Sequence, residues 1–171
     1  MAFVAEGMTE LFRASWQPEL LVRALGLLEA FVRMMDDPRR RGDTGVSVGT
    51  SYPGLRTLGH HMICLNLARQ LHEAMAAATG RGIIPAGDRA WSAGLGANEG
   101  HNAAECMSWL ESILTRMVDA ILGPFLHPEF QLLNENLAHD YSRPSMDANE
   151  DLFYLGHGIE TLYMVRYSTQ I

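Results

Sequence analysis

Apolar residues recur along this chain at three- and four-residue steps, the spacing of one helix face. Phe3, Val4, Met8, Leu11 and Phe12 set such a face over residues 3–14. Ser15-Trp16-Gln17-Pro18 interrupts it. Pro18 suits a first helical turn, and Glu19 complements the positive end of the helix it opens. Over 18–35, Leu20, Leu21, Ala24, Leu25, Leu28, Phe31, Val32 and Met35 form one broad stripe. So short a break between two amphipathic helices predicts a helical hairpin. The same period predicts a third helix over roughly 56–78, closed by Thr79-Gly80 with Gly80 as its C-cap. A fourth runs over 101–122 and stops at Gly123-Pro124, and a last one runs from about Leu152 to Tyr167.

Between these periodic stretches the pattern fails. Residues 36–55 hold Asp36-Asp37-Pro38, three arginines and Gly42, Gly45, Gly49 and Gly54, the composition of a loop. The run Arg39-Arg40-Arg41 reads as a solvated turn. Residues 80–100 are glycine-rich and aperiodic, a second long loop or an insertion. Within them, Gly94-Leu95-Gly96-Ala97-Asn98-Glu99-Gly100 has the look of a dinucleotide fingerprint, but no strand precedes it. Val46-Ser47-Val48 alternates, yet is too short to build a sheet. Residues 126–151 are irregular and polar. The expectation is an all-α chain, residues 1–171 as a single domain of helical hairpins, with two long loops lining a site.

Composition narrows the function classes. The 171 residues are 47% hydrophobic and 19% charged, which suits a globular core and not a disordered chain. Net charge is -7 with no basic stripe, which argues against nucleic acid as a partner. No apolar run approaches the roughly 20 residues of a membrane span. The opening Met1-Ala2-Phe3-Val4-Ala5-Glu6 lacks the charged and apolar regions of a secretory leader. Cys64 and Cys106 alone make no disulfide framework, so a reducing, cytoplasmic setting is expected.

The chemistry-bearing side chains fall on two helices. His60 and His61 are adjacent, about 100° apart on a helix, and do not face one point. Met62, Asn66 and Arg69 do share a face, and a polar residue between them suits a pocket wall. His101, Cys106, His127 and His139 match no zinc signature, so no metal is expected. In the last helix His157 and Glu160 are three apart and lie on one face. An imidazole with a carboxylate neighbour is a usual general base, and Gly156 and Gly158 leave room beside the ring.

Taken together, three stretches resemble the N-acylglucosamine 2-epimerase family, which also includes cellobiose 2-epimerases. Phe3-Val4-Ala5-Glu6-Gly7-Met8 and Glu10-Leu11-Phe12-Arg13-Ala14, followed by Pro18-Glu19-Leu20 and Ala24-Leu25-Gly26-Leu27-Leu28, look like an inner helix and its paired outer helix. Met62-Ile63-Cys64-Leu65-Asn66 is similar to that family's Met-x-x-Leu-Asn helix. Gly156-His157-Gly158-Ile159-Glu160 is similar to its Pro-Gly-His-x-Ile-Glu motif, with Leu155 in place of the proline. Leu133-Asn134-Glu135-Asn136, with Asp140, is similar to the acidic segment that precedes that motif. The segment 80–105 and the closing Arg166–Ile171 depart from the pattern.

The resemblance implies part of an (α/α)6 barrel, a toroid of twelve helices in a much longer chain, so that this chain is a partial-length member or a fragment. It implies proton transfer at C2 of a ring-opened free sugar, with no cofactor. His157 would be one of two bases, with Glu160 beside it. Met62, Asn66, His61 and Glu135 would line the substrate. The family's second histidine and its carbonyl-binding arginine are expected to lie outside what this chain spans, and His61 is not at the second-base position. Epimerisation by this chain is therefore expected to be at least ~10⁴-fold slower than by an intact relative. The alternative is a non-catalytic helical interaction module, with a homodimer through exposed apolar helix faces.

Overall fold

The computed structural model describes residues 1–39, 54–84, 102–144 and 152–168. Those residues are mostly helical: α1 (Ala2–Ser15), α2 (Pro18–Asp36), α3 (Leu58–Gly80), α4 (Ala103–Leu122) and α5 (Leu155–Ser168). Each predicted helix is present, with ends displaced by at most three residues. The alternating Val46-Ser47-Val48, the glycine run 94–100 and His101 lie outside the described residues. Of the arginine run only Arg39 is described; it is exposed and paired with Asp37.

Local chemistry explains the helix ends. α1 closes where Trp16 turns left-handed (φ 57°, ψ 29°) so that its N–H donates to the Phe12 carbonyl. That conformation disfavours a bulky residue by roughly 1–2 kcal/mol. Trp16 recovers contact by standing edge-on to Phe12, centroids 5.4 Å apart, under the Arg81 guanidinium at 4.2 Å. α4 begins two residues later than expected because Asn102 and Glu105 cap it reciprocally. The Asn102 Oδ1 accepts from the Glu105 N–H at 2.9 Å, and the Asn102 N–H donates to Glu105 Oε2 at 3.0 Å. α4 stops at Gly123, where a Cβ would sit 2.6 Å from the Asp119 carbonyl oxygen.

Sequence reading places Arg56 and Thr57 in the third helix. They instead form a strand, β1 (Arg56–Thr57), paired antiparallel with β2 (Asn136–Leu137) in the register Arg56↔Leu137 and Thr57↔Asn136. Two-residue strands carry no period, and both strands pair far from home in sequence.

The chain divides into two compact units, Met1–Phe31 with Asn66–Thr115, and Val32–Leu65 with Arg116–Ile171. The first has a core of Phe12, Leu21, Leu25, Leu28, Leu67, Leu71, Met75 and Leu110, all essentially without solvent contact. Arg13 of α1 reaches α3 there, donating to Glu73 at 3.0 Å and to the Gln70 carbonyl at 3.1 Å. The first unit also holds the buried thiol of Cys106. The second unit is built on Leu58, Leu65, Met117, Ile121, Phe125 and Leu137, and holds the buried thiol of Cys64. α5 belongs to this second unit. It buries Thr161, Val165 and Ser168, yet its outward face carries Leu155, Ile159, Leu162 and Tyr163, with Ile159 71% exposed. Among the described residues no helix is long and apolar enough to cross a membrane.

Candidate functional site

The chain approaches α5 through Leu152, whose carbonyl accepts from the Glu135 N–H at 2.8 Å. The Gly158 N–H then donates to the Tyr154 carbonyl at 2.8 Å and starts the helix. His157 therefore stands in the first turn. A Cβ at Gly156 or at Gly158 would meet nothing within 4 Å, so both flanks of the ring's backbone are open.

The His157 ring meets a carboxylate from another element. Its Nδ1 lies 3.1 Å from Glu135 Oε1 and 3.0 Å from Glu135 Oε2. The Tyr154 ring sits 5.6 Å away at 37°, and Cε1 faces Gly59 in the first turn of α3. The His157 side chain is 39% exposed while that of Glu135 is only 13% exposed. Burial raises the Glu135 carboxyl above its ordinary range, and the hydrogen bond and charge of His157 work against that rise. Glu135 is fixed through its main chain on two sides, because its own carbonyl accepts from the Leu58 N–H at 2.8 Å. With Nδ1 engaged, Nε2 is the ring nitrogen left to act on anything that approaches.

A second cluster anchors the segment that follows Glu135. The Arg56 Nε donates to the His139 carbonyl at 2.6 Å, and its guanidinium lies over the Tyr141 ring at 4.4 Å. Asp36 lies 3.5 Å from Arg56 and accepts from both terminal nitrogens of Arg116, at 3.0 and 3.1 Å. Tyr141 itself is left-handed, φ 66°. Neither the Arg56 clamp nor the Tyr154 contact was foreseen. Their partners are distant in sequence or outside a helical period.

The other expected site residues are distributed as follows. Glu160 is exposed on α5 and has no hydrogen-bond partner among the described residues; the carboxylate beside His157 is Glu135. Met62 is 7% exposed, a core residue of the second unit. His61 is buried in the same unit. Its Nδ1 donates to the Thr57 carbonyl at 2.9 Å, its Nε2 lies 3.4 Å from the Tyr141 hydroxyl, and it stands edge-on to Phe125 at 4.7 Å. Burial lowers its pKa to about 4 against the opposing pull of that carbonyl, so it is neutral near pH 7. Asn66 lies in the first unit, where it donates to Glu6 Oε1 at 3.0 Å and accepts from Arg69 at 3.4 Å. The structure thus joins His157 with Glu135, buries Met62 and His61, and gives Asn66 partners of its own. Among the described residues no three of His, Cys, Asp and Glu gather as a metal site would require.

No family model, no curated protein and no solved structure matches this chain.

Proposed function

We propose that the chain transfers a proton at C2 of a ring-opened free sugar of the N-acylglucosamine type, with His157 as the base, on a fold that forms part of an (α/α)6 barrel. One observation carries the reading: His157 is a part-exposed imidazole bound at Nδ1 by a mostly buried carboxylate, on a helix turn opened by two glycines. That is the local arrangement a general base needs. The resemblance of Gly156–Glu160 to the family motif supplies the substrate class.

In the reaction the lone pair of Nε2 takes the C2 proton. The C2–H bonding pair moves into a C1–C2 double bond, and the carbonyl oxygen becomes the enediolate oxygen. The imidazolium returns a proton to C2. One base returns it to the face it came from, so exchange with solvent outruns inversion. The test is deuterium uptake at C2 of N-acetylglucosamine in heavy water, followed by proton resonance, beside product formation. The wild-type chain is expected to exchange faster than buffer, and His157→Ala to lose roughly 10²–10⁴-fold. Exchange no faster than buffer by the wild type would overturn the reading.

A second reading, a helical interaction module, is favoured by the outward face of α5, where Leu155, Ile159, Leu162 and Tyr163 meet solvent. A helix gains nothing from turning four large apolar side chains to water. Concentration-dependent sedimentation distinguishes the two: self-association without exchange favours the module.

A further inference from the structure

We infer that Glu135, and not the motif carboxylate Glu160, is the positioning residue of His157. It holds the ring as the Nδ1–H tautomer, so that Nε2 carries the free lone pair. The juxtaposition brings together residues 22 apart in sequence, one from the irregular segment before β2 and one from the first turn of α5.

Three roles are open to a carboxylate near a base, and geometry separates them. A ligand for the sugar must offer an oxygen to solvent. Both oxygens of Glu135 lie at 3.0–3.1 Å from Nδ1, and its side chain is 13% exposed. A free surface carboxylate orients nothing. That describes Glu160, which is exposed and has no partner among the described residues. An orienting group must itself be fixed. Glu135 is, since its N–H donates to the Leu152 carbonyl and its carbonyl accepts from the Leu58 N–H, each at 2.8 Å.

The tautomer follows from donor and acceptor counting. An ionised carboxylate only accepts, and a neutral imidazole has one N–H. The contact at Nδ1 therefore places the hydrogen there and leaves Nε2 unprotonated. When Nε2 takes a proton, the ring becomes positive in the first turn of a helix, whose partial positive charge opposes it. The Glu135 carboxylate offsets that cost without itself accepting the proton. Glu135 touches no substrate in this account; it acts through the ring.

The experiment has two arms, and only the kinetic one rests on the proton-transfer reading. In the first, histidine ring nitrogens are labelled with nitrogen-15 in wild type, Glu135→Gln and Glu160→Gln, and long-range proton–nitrogen spectra are recorded where the rings are neutral. The expected result is one Nδ1–H tautomer for His157 in wild type and in Glu160→Gln, and a mixture of tautomers in Glu135→Gln. In the second, C2 deuterium exchange is measured in the same three proteins. Glu135→Gln is expected to lose roughly 10²–10⁴-fold in kcat with little change in KM, and Glu160→Gln to stay within about twofold. Glu135→Asp, which keeps the charge on a shorter arm, recovers part of both. A wild-type ring with mixed tautomers, or with its hydrogen on Nε2, overturns the inference. So does an Nδ1–H ring that survives intact in Glu135→Gln. If the tautomers behave as expected while no protein exchanges C2, the positioning role stands and the proton-transfer reading fails. A circular dichroism melt of each variant guards against loss of fold.

Discussion

His61 shows what burial does to a group that titrates near neutrality. Its folded-state pKa is about 4 against an ordinary 6.5. Between those values the unfolded chain binds a proton that the folded chain refuses. Stability therefore rises with pH across that window and is lost as pH falls from about 6.5 toward about 4, by about 3 kcal/mol in full. Urea unfolding at a series of pH values is expected to show this slope, and His61→Phe to flatten it. Glu135 pulls the other way, because a raised carboxyl favours the folded state in acid and loses that advantage as pH rises. Glu135→Gln is accordingly expected to steepen the rise. At this scale the sequence made His157 legible and its partner only half so. A Gly-His-Gly turn announces itself locally. Glu135 was visible as an acidic neighbour of the motif, but its place at Nδ1 depends on backbone bonds to Leu58 and Leu152 that no periodicity encodes. His61 was expected along the substrate from the family resemblance, and its residue type gave no sign of its burial. Burial keeps it neutral, and Phe125 and Tyr141, which pack edge-on to its ring, arrive from another part of the chain.

The helices were the legible elements, because apolar residues recur at a helical step along each of them. α1 was legible as a helix but not in its core face: it buries Ala5, Thr9 and Phe12, each one turn from the last, while Phe3, Val4 and Leu11 of the predicted apolar stripe are exposed, because the small Ala5 and the hydroxyl of Thr9 carry no apolar signal. Phe12→Ala is expected to destabilise the first unit by about 3–5 kcal/mol, read from the urea midpoint, since Phe12 has no solvent contact. β1 and β2 were illegible for the opposite reason. Two residues hold no repeat, and their pairing is set by the Arg56 clamp onto the His139 carbonyl and Tyr141. α5 is a mixed case. Its apolar spacing gave away the helix but not its outward face, because its leucines and tyrosines are exposed while Thr161, Val165 and Ser168 form the buried side. Ile159→Glu is expected to change stability by no more than about 0.5 kcal/mol, as a surface substitution does. If α5 mediates self-association, the same substitution abolishes it in a sedimentation series.

For the molecule as a whole, the division into two units makes the placement of the two cysteines informative. Cys106 belongs to the first unit and Cys64 to the second, and both thiols are buried. Burial pushes the Cys64 thiol up to about 12 and the Cys106 thiol up to about 11, so neither forms thiolate near neutrality. A disulfide reagent such as dithionitrobenzoate is expected to find no reactive thiol in the folded protein and two in urea. Each unit thus carries its own clock. At low reagent excess, the rate at which each cysteine is trapped measures how often its surroundings open. Single-cysteine variants Cys64→Ala and Cys106→Ala let the clocks be read one at a time, with no probe attached and no partner required. Equal trapping rates would mark one cooperative opening, and a faster rate at Cys64 would mark a half that breathes around its histidine while the other stays shut.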